Sequence, residues 1–205
     1  MDLEDDEFII KKGVLCNYKG NGGKIVIPEG VTKIDNYVFK DKNIEEVSIA
    51  STVIEIGDFA FGQNKLTQII IPESVRIIGN FAFYENQIKY VWISEGTIII
   101  GDFSFCNNKI VQLSLPETIE KIGTNAFNLN KIKTLIIPSK VKKIKQGAFS
   151  INQIDTVIFK DGIESIEKEA FKFNPIRQCL ISNENVDIDN SAFDDTVLEY
   201  IKRKK

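Results

Sequence analysis

Residues 69–91 read IIIPESVRIIGNFAFYENQIKYV. The chain repeats the pattern of this stretch every 22 residues without an insertion. One Phe marks each copy, at Phe39, Phe61, Phe83, Phe105, Phe127, Phe149, Phe171 and Phe193. An Ile stands five residues before each of them, at Ile34, Ile56, Ile78, Ile100, Ile122, Ile144, Ile166 and Ile188. A repeat of fixed length predicts one supersecondary unit stacked on copies of itself, which is a solenoid.

Each copy also contains a short apolar pattern of period two. Positions fourteen and twelve before the Phe are apolar, as Ile69 and Ile71 are, and they alternate with variable residues. Such alternation predicts a strand with one buried face, about four or five residues long. A Pro follows in four copies, at Pro28, Pro72, Pro116 and Pro138. Pro has no N–H for the next ladder bond, so it is expected to end the strand.

Two polar or small columns flank the Phe. Three residues after it stands an Asn in six successive copies, at Asn64, Asn86, Asn108, Asn130, Asn152 and Asn174. An amide repeated at a bend can bond the backbone of its own copy and of the next, so we predict an internal Asn ladder. The glycines Gly57, Gly79, Gly101 and Gly123 suggest a backbone conformation that other residues adopt less readily. Lys145, Glu167 and Asp189 take that position later, so Gly is not strictly required there.

In these motifs, the sequence resembles the BspA-like leucine-rich repeat family. The family shows an Ile-Pro step, then V-x-x-I-G-x-x-A-F, then a turn at Cys or Asn, and the resemblance covers residues 24–196. The stretch FIIKKGVLCNYKGNGGKIVIPEGV at residues 8–31 is similar to the family's N-terminal hairpin. The resemblance implies a binding scaffold of bacterial surface proteins and some protists, with many ligands and no shared active site. Coils are one residue shorter than is usual, and Asn stands where Cys is often found.

We therefore predict an α/β-type leucine-rich repeat superhelix that is mostly β, with a parallel sheet on its concave face. It forms a single domain over residues 1–205, with an N-terminal cap at 1–23, eight 22-residue coils at 24–196 and a C-terminal cap at 197–205. The sequence of residues 8–18 predicts a hairpin of two short strands that turns at Lys-Lys-Gly. Residues 194–204 carry Val197, Leu198 and Ile201 at near-helical spacing, which predicts a closing helix that is acidic at its start and basic at its end, matching the macrodipole.

Composition excludes several kinds of chemistry. The chain has no His, so His-dependent nucleophile systems and His-bearing metal sites are absent, and we expect no enzyme and no cofactor. Residues 20–23 read Gly-Asn-Gly-Gly but lack the Lys-Ser/Thr of a phosphate loop. The three cysteines are scattered, which predicts no disulfide framework, and Cys179 takes a core position.

Charge and hydropathy limit the partners. A net charge of −3 argues against a sequence-independent nucleic-acid binder, and the lack of a long apolar run argues against membrane insertion. We read the charged ends as solvated tails, namely Asp2, Glu4, Asp5, Asp6 and Glu7 at the start and Lys202, Arg203, Lys204 and Lys205 at the close. The family resemblance implies a cell-surface or secreted protein, and the acidic start leaves a cytoplasmic location open.

The side chains that alternate with the buried strand positions are expected to point outward. Tyr90 and Trp92, the chain's only Trp, are neighbours in these outward columns. We predict a binding surface made of Gln68, Ile70, Tyr90, Trp92, Gln112 and Ile136. An apolar patch with aromatics is typical of an interface core, although such residues also simply suit stacked strands. A second aromatic column, Phe59, Phe81 and Phe103, is expected to pack on the convex side.

The predicted function is a non-enzymatic protein-interaction or adhesion module that binds a protein or glycan on its concave sheet. The alternative is a structural spacer or self-associating repeat module, and a carbohydrate-active enzyme ranks third. Both ends carry a predicted cap, so we expect a monomer.

Overall fold

The computed structural model describes residues 2–4 and 7–203. Each repeat forms one coil, and we number the coils 1 to 8 by their Phe, from Phe39 to Phe193. Every coil contributes one longer strand and one two-residue strand. The longer strands are β4 (Gly23–Val26), β6 (Ile44–Ser48), β8 (Gln68–Ile71), β10 (Tyr90–Ile93), β12 (Gln112–Ser114), β14 (Thr134–Ile137), β16 (Thr156–Phe159) and β18 (Gln178–Ile181). The two-residue strands are β5 (Lys33–Ile34), β7 (Glu55–Ile56), β9 (Ile77–Ile78), β11 (Ile99–Ile100), β13 (Lys121–Ile122), β15 (Lys143–Ile144), β17 (Ser165–Ile166) and β19 (Asp187–Ile188).

The two kinds of strand build separate parallel sheets. The two-residue strands follow one another in chain order in a sheet of eleven strands, which also includes three strands of the N-terminal cap. The longer strands divide into three sheets, formed by β4 and β6, by β8, β10 and β12, and by β14, β16, β18 and a C-terminal strand. Register follows the sequence period, since Val91 lies opposite Ile69 on one side and Leu113 on the other. The predicted solenoid of eight coils is confirmed.

The core is a continuous stack of the repeat Phe rings. Neighbouring rings are nearly parallel, with centroids 5.0–5.5 Å apart and interplanar angles of at most 12°. The seven rings from Phe39 to Phe171 are fully buried, and Phe193 is 3% exposed. Each central ring therefore contacts a coil on both sides, whereas among the described side chains Phe193 stacks on Phe171 alone.

The predicted Asn ladder runs beside this stack. The Nδ2 group of Asn108 donates to the carbonyl oxygen of Phe83 in the previous coil at 2.9 Å and to that of Phe105 at 3.1 Å. Its Oδ1 accepts from the N–H of Ile88 at 3.1 Å. The other five Asn make the same set of bonds, and all six are buried. The amides thus satisfy backbone groups that the bends would leave unpaired inside the core.

The repeated glycines serve a different purpose from the one predicted. Gly57, Gly79, Gly101 and Gly123 have ordinary backbone angles, so the prediction of an unusual conformation was wrong. The reason is steric. A Cβ added to Gly101 would lie 2.6 Å from the carbonyl carbon of Gly79 in the previous coil, closer than real Cβ atoms come. These glycines let adjacent coils approach each other closely.

Left-handed backbone occurs instead two residues before and two residues after the repeat Phe. The first set comprises Tyr37, Phe59, Phe81, Phe103, Asn125, Gly147 and Glu169, and the second comprises Asp41, Gln63, Glu85, Asn107, Leu129, Ile151 and Phe173. Such angles are unfavourable for residues with a Cβ. Their N–H groups donate to carbonyls of the next coil, as Phe81 does to Asp102 at 2.8 Å, except that Phe173 donates to the carboxylate of Asp194 at 2.9 Å. These bonds offset the strain.

The N-terminal cap is the predicted hairpin with one extra strand. Strands β2 (Phe8–Lys11) and β3 (Val14–Tyr18) pair antiparallel, and β1 (Leu3–Glu4) adds to the outer edge. β3 then pairs in parallel with β5 of coil 1. The ring of Tyr18 lies 5.0 Å from that of Phe39 and closes the Phe stack at this end. Asp5 and Asp6 of the acidic tail lie outside the described residues.

The C-terminal cap departs from the predicted helix over 194–204. A 3-10 helix covers only Asp195–Tyr200, with Asp195 in its first turn and no basic residue in its last. The chain then extends as β20 (Ile201–Arg203), which pairs in parallel with β18. An open parallel edge needs backbone partners, and a strand supplies them where a helix cannot. The side chain of Leu198, and Lys204 and Lys205, lie outside the described part of the chain.

Candidate functional site

The outward side chains of β8, β10 and β12 form a surface that we call the strand face: Gln68, Ile70, Tyr90, Trp92, Gln112 and Ser114. Alternation places these side chains outward and their neighbours inward. Tyr90 and Trp92 are 40% and 42% exposed, while Val91 and Ile93 are buried. The two-residue period of a strand thus separates the surface from the core.

Parallel register sets the neighbours of each aromatic residue. Tyr90 lies between Gln68 and Gln112, and Trp92 lies between Ile70 and Ser114. The rings of Tyr90 and Trp92 stack with centroids 5.7 Å apart and an interplanar angle of 26°. Together they form an aromatic ledge with Ile70, which is 62% exposed, at its side.

Ile136 does not join this group. The sheet of β8, β10 and β12 ends at β12, and β14, which carries Ile136, begins the next sheet. Ile136 instead pairs with Ile158 on β16. The structure therefore brings together Gln68, Ile70, Tyr90, Trp92 and Gln112, and places Ile136 across an interruption of the sheet.

A hollow adjoins the strand face that the sequence analysis missed. It measures about 280 Å³ and opens where β6 and β8 do not pair. Gln68 and Ile70 line it on one side, and Glu46 and Ser48 of β6 line it on the other. The outward columns do contain Glu46 and Ser48. However, no sequence signal indicates that the sheet parts between β6 and β8.

The six residues of the strand face include no charged side chain, and Glu46, which lines the adjoining hollow, is paired. Lys24 Nζ lies 2.8 Å from Glu46 Oε2 on the outward side of the neighbouring sheet. The hydrogen bond to Glu46 raises the pKa of Lys24 above its ordinary value. The surface thus combines aromatic, aliphatic and neutral amide groups beside one exposed ion pair.

The second aromatic column forms a stack of its own. Phe59, Phe81 and Phe103 lie with centroids 4.5 and 4.8 Å apart and nearly parallel rings, and Tyr37 extends the stack at 5.2 Å from Phe59. The three Phe side chains are half-buried, as expected for packing residues. Tyr84 contacts Phe81 edge-on.

The described residues offer little for metal chemistry or membrane insertion. Within residues 2–4 and 7–203, no group of three or more His, Cys, Asp or Glu side chains could hold a metal ion. Over the same ranges, no helix has the length and apolar character needed to cross a bilayer.

Cysteine reactivity gives a simple test of the inward and outward assignments. Cys16 is exposed, whereas Cys106 and Cys179 are buried. Burial raises the pKa of Cys106 to about 11 and that of Cys179 to about 12, so neither forms a thiolate at neutral pH. We expect a thiol reagent to modify Cys16 quickly in the folded protein and all three cysteines after unfolding in guanidinium. Rapid modification of a second cysteine in the native protein would contradict the assignment. Rapid modification of any cysteine in the folded Cys16→Ser variant would do so as well.

Comparison with known protein families identifies the family of this chain. The model of the BspA type leucine-rich repeat region matches residues 9–127 and 76–199, in six copies. No curated protein matches the chain in sequence.

Two solved structures are similar in fold. The pneumococcal vaccine antigen PcpA is 19% identical with a TM-score of 0.54, and the match covers 83% of this chain and 57% of that one. A leucine-rich cell surface protein from Faecalibacterium prausnitzii A2-165 is 18% identical with a TM-score of 0.42, covering 94% and 86% of the two chains. This chain therefore spans little more than half of the pneumococcal antigen's resolved length. By its repeat, its ladders and the family model, the chain belongs to the BspA-type leucine-rich repeat family.

Proposed function

We propose that this chain is a non-enzymatic interaction module and that its strand face binds a partner protein. The observation that carries the proposal is the stacked pair of Tyr90 and Trp92, exposed beside Ile70 on a surface without charges. A large aromatic left in water is unfavourable unless another molecule covers it. Aromatic residues with few charges are typical of interface cores.

The hollow next to Ile70 supports a protein partner over a glycan. Hot-spot side chains of a partner commonly insert into such depressions, and the ring of Gln68, Gln112, Ser48 and Ser114 supplies a polar rim. Glycan recognition on aromatic residues uses an open ring face. Here the stacking of Tyr90 against Trp92 covers one face of each ring.

Replacing Trp92 by Ala tests the proposal. We expect a partner found on an array of extracellular proteins to bind Trp92→Ala at least tenfold more weakly, because a central aromatic supplies about 2 kcal/mol. Stability in urea should change little, since the side chain lies outside the core. The measurement is a titration of the captured partner by surface plasmon resonance, with urea unfolding followed by circular dichroism.

Phe173→Ala is the matched control, because Phe173 is 62% exposed and lies away from the strand face. This variant should bind the partner as the natural chain does. Unchanged affinity of Trp92→Ala, or loss of binding in Phe173→Ala alone, would overturn the strand-face proposal. A glycan array run in parallel decides between protein and glycan partners.

Self-association is the competing use of the same surface. We expect the protein to sediment as a monomer, because cap strands extend one sheet at each end of the stack: β1, β2 and β3 before β5, and β20 after β18. A mass that rises with concentration and returns to the monomer value in Trp92→Ala would instead assign the strand face to a second copy of the chain.

A further inference from the structure

In the described ranges, the ladder of the two-residue strands loses bonds at the junction of coils 5 and 6, where the longer strands β12 and β14 also do not pair. Elsewhere a residue four before the Phe donates to the previous coil, as Gly123 does to Ile100 and Glu167 does to Ile144, both at 2.9 Å. β13 and β15 pair only through Ile122 and Ile144. Across the part of the chain that the structure describes, the N–H groups of Lys142, Lys143 and Lys145 make no such bond to coil 5.

The sequence explains why the coils part here. Lys145 ends the run of Gly57, Gly79, Gly101 and Gly123 in its column. Glu167 and Asp189 stand in the same column and keep their bond to the previous coil at 2.9 Å, so a side chain at this position does not by itself break the bond. The register also puts Lys143 beside Lys121, two like charges on neighbouring strands. In the same columns, coil 1 places Lys33 opposite Glu55 at 2.8 Å. Repulsion between the two lysines therefore favours separation of coil 6 from coil 5 at these strands.

A groove of about 1030 Å³ lies at this junction. Its lining includes five lysines and two carboxylates, and we call it the lysine groove: Glu120, Lys121, Ile122, Ser139, Lys140, Lys142, Lys143, Lys145 and Asp161. Four of the lysines come from one stretch, Lys-Val-Lys-Lys-Ile-Lys at residues 140–145, in which Val141 and Ile144 are buried. Burial of the two apolar residues directs the lysines outward together.

Much of this positive charge is left without a counter-charge. Lys143 lies 3.4 Å from Glu167, and Lys145 lies 4.0 Å from Asp102. Lys121, Lys140 and Lys142 form no salt bridge with any residue in the described ranges. The lysine groove is thus locally positive on a chain whose net charge is −3. A concave surface concentrates such a field, which favours anions there.

The geometry points to a sulfated polysaccharide as the ligand of the lysine groove, and we propose it as a second binding site of this protein. Lysine-rich stretches of this length are typical of heparin or nucleic-acid sites. No aromatic ring lines the groove, so unpaired bases would find no stacking partner. Sulfate groups along a sugar chain can bind the ammonium groups that line the lysine groove.

Heparin-derived oligosaccharides and the same oligosaccharides after chemical desulfation are the probes, with affinity measured by isothermal titration calorimetry. We expect the sulfated probe to bind the full chain and the desulfated probe not to bind. Affinity should fall as salt concentration rises, because bound counterions are released from a polyanion. Binding that is equal for both probes, or absent for the sulfated probe at low salt, would overturn the proposal.

A pair of double variants locates the site. Lys140→Ala with Lys142→Ala removes two charges from the lysine groove, and Lys65→Ala with Lys89→Ala removes two exposed charges elsewhere. The groove variant should lose about tenfold or more in affinity, and the control variant less than about twofold, since each lysine near the ligand contributes roughly a few-fold. Equal losses in the two variants would mean that net charge, and not the groove, binds the probe.

Two further measurements distinguish this proposal from nucleic-acid binding and from the strand-face proposal. A single-stranded DNA oligonucleotide that bound as tightly as the sulfated probe, with the same sensitivity to the groove variant, would contradict the assignment to a polysaccharide. Trp92→Ala should leave the affinity for the sulfated probe unchanged, because the strand face and the lysine groove lie on different strands of the coil. The two proposals are therefore tested independently, and failure of one does not imply failure of the other.

Discussion

Replacing Phe127 by Ala is expected to lower the free energy of unfolding by about 3–5 kcal/mol. The ring is fully buried and stacks on Phe105 at 5.3 Å and on Phe149 at 5.4 Å. Its loss would leave a cavity between two rings that cannot collapse, because backbone bonds beside the stack, such as that from the Phe127 N–H to the Ala148 carbonyl at 2.8 Å, fix the spacing of the coils there. Urea unfolding followed by circular dichroism measures the change.

The same substitution at Phe193 provides the control. Phe193 belongs to the last coil and has one repeat Phe, Phe171, as a stacking neighbour. We expect a smaller loss, about 1–3 kcal/mol, because the terminal coil can fray without opening the rest of the stack. Equal losses at Phe127 and Phe193 would contradict a core held together by nearest-neighbour contacts.

Replacing Asn108 by Ala is expected to lower the free energy of unfolding by about 2–4 kcal/mol, because at least three buried backbone groups lose a partner. These groups are the carbonyls of Phe83 and Phe105 and the N–H of Ile88. Asn108→Asp should be worse at neutral pH, since a carboxylate keeps the acceptor for Ile88 but points a charge at the two carbonyls. Urea unfolding of both variants gives the comparison.

Asn107, the adjacent Asn, needs a different replacement when it serves as the control. Its φ of 57° is left-handed, so Ala would add a backbone penalty unrelated to side-chain bonds. Asn107→Gly removes the exposed side chain and tolerates this angle. If Asn107→Gly and Asn108→Ala unfolded at the same urea concentration, the buried Asn ladder would not contribute to stability as described.

The core was predictable from the sequence because the same residue types recur at the same positions from coil to coil. The Phe and Asn columns recur at a single period, and only stacked, inward-facing positions explain such uniformity. The glycine column recurs in four successive coils, yet its role was misread, because close approach between coils and a left-handed angle both select Gly. Only the positions of the neighbouring backbone atoms distinguish the two causes, as at Gly101.

The candidate sites were predictable only in part. Strand alternation was enough to place Tyr90 and Trp92 outward and side by side. The sheet of longer strands is interrupted after β6 and after β12, and the outward residue columns contain no signal for either interruption. These interruptions separate Ile136 from the aromatic ledge and open the hollow beside Ile70. The lysine groove was likewise predictable only in part. The lysine-rich stretch at residues 140–145 is visible in the sequence, but the missing backbone bonds between coils 5 and 6 are not.

The single Trp of the chain allows the most direct test of the strand-face proposal. Trp92 is the sole source of tryptophan fluorescence, and it is 42% exposed on the strand face. The measurement is quenching of this fluorescence by acrylamide while the captured partner protein is titrated to saturation. Burial at an interface predicts a blue shift of the emission and protection from the quencher. A partner that saturates the protein while leaving the emission and the quenching of Trp92 unchanged would contradict the account.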